Sequence, residues 1–106
     1  MKYFVICEED NPIAVVFHDH AAQTLYCRST VTSFLSAFDA VCAKLEVSFE
    51  KGDPRILRAI HEGVEGYDWA RKILDQLCTG FWTVGAEGNA INVDSEINSV
   101  IQKYLN

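Results

Sequence analysis

The fold is decided by the stretch VTSFLSAFDAVCAKL, residues 31–45. Its apolar side chains recur at spacings of three and four, so a helix would place them on one stripe. They are Val31, Phe34, Leu35, Phe38, Val41, Cys42 and Leu45. Such a stripe must be buried, and the strand-like runs that precede it predict that it packs on a sheet. Ser29, Thr30 or Thr32 offers a side-chain oxygen to cap the first turn.

Three runs before this helix have the composition of strands. Residues 2–8 and 13–17 are rich in aromatic and β-branched residues, and residues 10–12 between them are typical of a turn. Residues 24–28 repeat that composition. Consecutive strands joined by short turns pair antiparallel, so the pattern predicts a three-stranded meander.

The second half of the chain predicts three more helices and a hairpin. Asp53-Pro54 is a helix-start signal, and this helix is expected to end at Gly63. The next helix buries Trp69, Ile73, Leu74 and Leu77 and ends at Gly80. Residues 81–84 and 90–93 are predicted strands around a turn at 85–89, and Asp94 caps a last helix. This helix places Ile97, Val100, Ile101, Tyr104 and Leu105 on one face.

Together these elements predict the α+β class: a mostly antiparallel sheet (βββ then ββ) with about four helices packed on one face. A doubly wound fold is excluded because strands and helices do not alternate throughout. The 106 residues match the usual size of one domain, so residues 1–106 are expected to form a single domain.

The charge balance limits the partners. Fifteen acidic residues against nine basic ones give a net charge of −6. This charge repels a phosphate backbone, and no basic patch offsets it, so direct nucleic-acid binding is not expected. The apolar runs are too short to span a bilayer, and Glu8-Glu9-Asp10 interrupts the first of them before it reaches the length of a secretory core. We therefore expect a cytoplasmic protein. Its acidic surface either suits a basic protein partner or only keeps a small domain soluble.

A metal site is conceivable at His18-Asp19-His20. In an extended segment the two histidines share a face, and Cys7 or Cys27 from a neighbouring strand could supply a third ligand. The ordinary alternative is the polar end of a strand, and we expect no metal and no cofactor.

The sequence gives less support to catalysis by a cysteine than to a metal site. The four cysteines have no CxxC spacing, and in apolar patterns they behave as small buried side chains. His61 could approach Cys78, but Cys78 is predicted near a helix C-terminus, where the helix dipole disfavours a thiolate. We expect no catalytic residue.

Two segments are candidates for partner binding. In the loop of residues 63–69, Tyr67 stands between Glu65 and Asp68, which suits an aromatic anchor oriented by charges. The alternative is that Trp69 belongs to the core and Tyr67 only covers it. The Glu8-Glu9-Asp10 turn is the second candidate. The partner-binding residues expected from sequence are thus Glu65, Tyr67, Asp68, Glu8, Glu9 and Asp10.

Part of the chain resembles a known family. Residues 12–17, 25–29 and 33–38 look like the closing part of bacterial immunity proteins of the SMI1/KNR4 type. In those proteins strands ending in a tyrosine-bearing segment precede a helix opened by a Ser-Phe-x-x-Phe/Leu pattern. The resemblance implies small acidic cytosolic proteins that bind and neutralise a toxin, and it carries over no functional residues.

These observations predict a non-enzymatic protein-binding inhibitor, namely a bacterial immunity protein, or antitoxin, that occludes a toxin's active site. Two alternatives stay open. One is a phage-encoded inhibitor such as an anti-CRISPR, and the other is a small metal- or thiol-dependent enzyme that uses His18 and His20. The oligomeric state does not follow from the sequence.

Overall fold

The computed structural model describes residues 1–19, 21, 24–44, 48–51, 56–60 and 68–105, with the backbone alone at 48–51, 56–60, 68 and 69. Six strands and three helices lie within these residues. In chain order they are β1 (Lys2–Glu8), β2 (Asn11–Asp19), β3 (Thr24–Ser29), α1 (Thr32–Lys44), β4 (Ser48–Lys51), β5 (Ile56–Ile60), α2 (Asp68–Leu77), β6 (Trp82–Asn89) and α3 (Asp94–Leu105).

All pairings in the sheet are antiparallel. The described strands form one sheet in the order β4-β5-β3-β2-β1-β6. The predicted meander is confirmed in β1, β2 and β3, where Tyr3 lies opposite Phe17 and Phe17 opposite Tyr26. The predicted α+β class is likewise confirmed.

The apolar stripe that decides the fold forms α1. Phe34, Phe38 and Cys42 are fully buried against the sheet. Ser29, one of the predicted caps, donates its hydroxyl to the Ile13 carbonyl at 2.6 Å and accepts the Val31 amide at 3.0 Å. The start of α1 is therefore hydrogen-bonded to the neighbouring strand β2.

Helices pack on both faces of the sheet, which corrects the prediction of one face. Helices α1 and α2 enclose one apolar cluster with Phe4 and Val16, whereas α3 packs Ile101 against Val5 and Val15 on the opposite face. The reason lies in β2, whose residues 13–17 are apolar without alternation. Such a strand has apolar side chains on both faces, and both must be covered.

The predicted helix over residues 54–63 is wrong. Residues Ile56–Ile60 form β5, which pairs with β3 on one side and with β4 on the other. Without β5, strand β3 would leave its outer amides and carbonyls unpaired beside the buried side chains of Leu25 and Cys27. Strand pairing overrides the local helix signal here. The described residues therefore hold three helices instead of about four, in the order βββαββαβα.

The predicted hairpin over residues 81–93 is also wrong. A single strand, β6, runs through the expected turn and pairs with β1, with a bulge at Gly85, and residues 90–93 lie outside any strand. The glycines are needed because β1 side chains approach closely: a Cβ at Gly88 would overlap the Tyr3 ring, and one at Gly85 would overlap Sγ of Cys7.

The two remaining helix predictions are confirmed. In α2, Ile73, Leu74 and Leu77 are buried, and Gly80 beyond its end has a φ of 138°. The side chain of Trp69, also predicted on the buried face, lies outside the described part of the structure. In α3, the five predicted apolar side chains all belong to the cluster on the second face.

Candidate protein-binding site

One end of the sheet carries an acidic turn. Glu9 and Asp10 connect the paired residues Glu8 and Asn11, and both have positive φ values, 50° and 66°. This is the geometry of a two-residue type I′ turn, which Asn-Gly favours and Glu-Asp does not. The turn exposes Glu9 and Asp10 to solvent. Two carboxylates therefore stand at the tip of the hairpin, at a cost in backbone strain.

Two aromatic side chains adjoin this turn. Trp82 lies opposite Glu8 in the sheet, and its indole Nε1–H donates a hydrogen bond to Oε1 of Glu8 at 3.3 Å. Its ring also packs edge-on against Phe34 of α1, with centroids 5.1 Å apart. Phe81 precedes Trp82, contacts its ring at a centroid distance of 5.8 Å, and is 68% exposed. An exposed ring thus contacts a half-buried indole that is hydrogen-bonded to an acidic group.

We call Glu8, Glu9, Asp10, Phe81 and Trp82 the acidic-aromatic end. Among the side chains that the structure describes, Lys2 and Glu87 form an ion pair elsewhere on the sheet, and no ion pair joins a Lys or Arg to this end. The negative charge at this end is therefore available to an incoming cationic surface.

The structure places only some of the expected partner-binding residues. Glu8, Glu9 and Asp10 lie together at the tip of the β1–β2 hairpin. Glu65 and Tyr67 lie outside the described residues, and Asp68 is described only as the first residue of α2. The loop site around Tyr67 therefore stays a prediction.

Sequence reasoning missed Phe81 and Trp82, although a signal was present. Adjacent residues of an extended segment point in opposite directions, so two neighbouring aromatics at the start of a strand cannot share one core. Trp82 joins the cluster under α1, and Phe81 is left facing solvent.

The hypothesis of a histidine metal site gains no support from the geometry. His18 is 2% exposed and lies opposite Lys2 in the sheet, whereas Cys7 lies opposite Pro12, at the far end of the same strand pair. Cys7 therefore cannot share a metal with His18. His20 and His61 lie outside the described residues. Among the side chains that the structure describes, no group of three His, Cys, Asp or Glu residues is arranged to hold a metal.

The cysteines are free thiols. Burial raises the pKa of Cys27, and burial together with Asp39 raises the pKa of Cys42 to about 12. Burial and Asp75 raise the pKa of Cys78 as well. These three thiols stay protonated at neutral pH, which disfavours nucleophilic chemistry.

No protein-family model, curated protein or solved structure matches this chain. The resemblance to immunity proteins of the SMI1/KNR4 type therefore stays a prediction. None of the helices in the described ranges is long and apolar enough to cross a membrane.

The acidic-aromatic end has the composition of a protein-binding surface. Binding energy in protein interfaces concentrates in a few aromatic residues, and surrounding charges orient the partner. Phe81 supplies such a ring, and Glu8, Glu9 and Asp10 supply the charges.

Proposed function

We propose that this protein is a non-enzymatic inhibitor of the bacterial immunity type, which binds a basic toxin in the cytoplasm and covers the toxin's active site. The observation that carries the proposal is the exposed ring of Phe81, held beside the Glu8-Glu9-Asp10 turn by Trp82.

The contact between Phe81 and Trp82 favours tight binding. Phe81 packs on Trp82, which is itself held by Phe34 and by the hydrogen bond to Glu8. A side chain that is already ordered loses less conformational entropy on docking, so more of its contact energy appears as affinity. This arrangement suits Phe81 as the central anchor of the interface.

The charges suit an enzyme that acts on an anionic substrate. Clefts that bind such substrates are lined with cations, and an acidic surface is attracted to them at long range. The net charge of −6 and the exposed acidic turn both contribute to this attraction. Occupying the cationic cleft would exclude the substrate without any chemical step.

The test is capture of the partner followed by kinetics with matched variants. The chain is immobilised through its C-terminus, the bound protein is identified by mass spectrometry, and its enzymatic activity is measured with and without the chain. Binding kinetics are then compared for the parent, Phe81→Ala and Ile91→Ala. Ile91 is the control because it is 67% exposed, close to the 68% of Phe81, but lies beyond the opposite end of β6.

We expect the partner to lose activity in the complex, Phe81→Ala to speed dissociation, and Ile91→Ala to change nothing. A partner that stays fully active when bound contradicts inhibition. Equal effects of the two substitutions would move the interface away from the acidic-aromatic end. If the captured protein is a nuclease that cleaves phage nucleic acid, the result supports the alternative function as an anti-CRISPR inhibitor.

A further inference from the structure

The end of the sheet opposite the acidic-aromatic end contains a cavity of about 580 Å³. It lies where the start of β1 and the end of β2 meet the first turns of α2. Its polar and aromatic lining comes from Lys2, Phe4, His18, Asp19, Arg71 and Asn89. Cavities of roughly 300–1,000 Å³ with a few convergent polar groups are typical of small-molecule sites.

Two cations converge on one aromatic ring in this cavity. Nζ of Lys2 lies 5.3 Å from the centroid of the Phe4 ring, and Cζ of Arg71 lies 6.0 Å from it. Phe4 itself is buried, so the ring is a fixed part of the cavity wall. The two charges come from different elements, β1 and α2, and their approach is a product of the tertiary fold.

The side chains of Lys2 and Arg71 can both donate hydrogen bonds to an anionic ligand. Lys2 pairs with Glu87 at 3.8 Å, but both side chains are more than 40% exposed, and exposed pairs of this kind contribute little. Arg71 is exposed, and no ion pair joins it to any of the side chains that the structure describes. A guanidinium binds a carboxylate through two parallel hydrogen bonds, which a lysine beside it can reinforce.

The remaining walls give the cavity shape and polarity. His18 and Asp19 are buried, and the carboxylate of Asp19 accepts a hydrogen bond from Nδ2 of Asn92 at 2.7 Å, which fixes the end of β2. Ala70 of α2 is buried and adds an apolar surface near Phe4. The cavity thus combines two cations, Lys2 and Arg71, with the buried Asp19 carboxylate and a partly apolar wall, so an anion would bind on the side of the two cations.

We propose that this cavity binds a small organic anion, with the carboxylate held by Arg71 and Lys2 and the apolar body packed toward Phe4. The ligand would connect the first strand to α2 and so stabilise the fold. The cavity and the acidic-aromatic end lie at opposite ends of β1, so a bound anion would leave Phe81 and the acidic turn free. The proposal stands independently of the proposed function.

The test uses benzoate as the probe, with benzamidine as a ring of similar size but opposite charge and inorganic phosphate as an anion without an apolar body. Any tag is placed at the C-terminus, because Met1 lines the cavity and exchanges backbone hydrogen bonds with Ala90. Melting temperature and amide chemical shifts are measured against ligand concentration for the parent, Lys2→Gln, Arg71→Gln and Lys72→Gln. Lys72 is the matched control because it is exposed on α2 next to Arg71 and does not line the cavity.

We expect benzoate to raise the melting temperature and to shift the amides of Lys2, Arg71 and Asn89. The Lys2→Gln and Arg71→Gln variants should each weaken binding roughly tenfold, since a hydrogen bond to a charged group contributes on that order. Lys72→Gln should bind like the parent. Lys2 is half-buried and Arg71 is exposed. Melting curves without ligand verify that each variant folds.

Three outcomes would overturn the proposal. The first is the absence of any benzoate effect on melting temperature or amide shifts. The second is that benzamidine changes the melting temperature and the amide shifts as much as benzoate does, which would mean that the cations do not select an anion. The third is that phosphate binds as tightly as benzoate, which would remove the role of the apolar wall.

Discussion

The indole nitrogen of Trp82 donates a hydrogen bond to Oε1 of Glu8 at 3.3 Å, and this contact joins edge strand β6 to the end of β1. The two residues lie opposite each other in the sheet, 74 positions apart in the chain. The same indole packs on Phe34 of α1. Sheet, helix and hairpin tip therefore meet at one side chain, and the exposed Phe81 stands next to it.

Replacing Trp82 by Phe keeps an aromatic ring and removes the N–H donor. We expect the free energy of unfolding to fall by at least about 0.5–1.5 kcal/mol, the usual contribution of one hydrogen bond, because the smaller ring also loses packing against Phe34. The partner should dissociate several-fold faster, because Phe81 and Glu8 lose their common support. Stopped-flow or surface-based kinetics would measure this rate. Glu8→Gln is the control, because the oxygen of its side-chain amide still accepts the hydrogen bond from the indole. An unchanged dissociation rate in Trp82→Phe would mean that the indole does not position Phe81.

Removing the charges of the turn should act on association. Glu9→Gln combined with Asp10→Asn should slow partner association and weaken its dependence on salt, because attraction between charges is screened over about 8–10 Å at moderate ionic strength. The matched control is Asp75→Asn with Glu87→Gln, which removes the same number of exposed charges elsewhere. Association that quickens as salt is added would contradict the electrostatic part of the proposal.

Substitutions in the Glu9-Asp10 turn should make the protein more stable. Both central residues have positive φ values, so Glu9→Asn with Asp10→Gly installs the residues that a type I′ turn prefers. We expect the free energy of unfolding to rise by about 1–2 kcal/mol, measured by denaturant titration. In contrast, Asp75→Gly in α2 should lower it by about 0.5–1 kcal/mol. If this variant is more stable but associates more slowly with the partner, the strained Glu9-Asp10 turn is kept because its charges are needed for binding.

The core of α1 should be intolerant of truncation. Phe38 is fully buried between the helix and the sheet, and Phe38→Ala should lower the free energy of unfolding by about 3–5 kcal/mol through lost burial and a residual cavity. Thermal or urea unfolding measures the loss. Ser36→Ala lies on the exposed side of the same helix and should change little. A melting temperature of Phe38→Ala close to that of the parent would contradict the packing of α1.

Alkaline pH should destabilise the fold through its buried thiols. The pKa of Cys42 is raised by burial from 9.0 to about 12, so the unfolded chain loses this proton before the folded one. The protonated Cys42 thiol contributes fully to the free energy of unfolding below pH 9.0. This contribution is lost as the pH rises toward about 12, because over that range the folded state binds more protons than the unfolded state. Urea titrations across this range should show a shallower decline in Cys42→Ala than in the parent. Ser36→Ala, which removes no thiol, should keep the parent slope, and an unchanged slope in Cys42→Ala would contradict the raised pKa.

The sequence by itself determined the elements whose signal is local. The stripe of α1 and the apolar faces of α2 and α3 repeat with the helical period, and that period requires no knowledge of the rest of the chain. The meander was equally readable, because runs of strand composition are separated by turn residues, although the turn lies at Glu9-Asp10 and residues 11 and 12 of the predicted turn belong to β2. The acidic part of the candidate site followed directly from that turn.

Only the tertiary structure decided residues 56–60 and 82–89. The first segment has helix-compatible residues behind a helix-start signal, yet it is a strand because β3 needs a neighbour for its hydrogen bonds. In the second, Gly85 and Gly88 indicate a turn locally, but they serve to admit Cys7 and Tyr3 from a strand about 80 positions earlier in sequence. The same pairing sets Trp82 against Glu8 and leaves Phe81 exposed. These placements depend on contacts between distant segments, which a local pattern of residues does not encode.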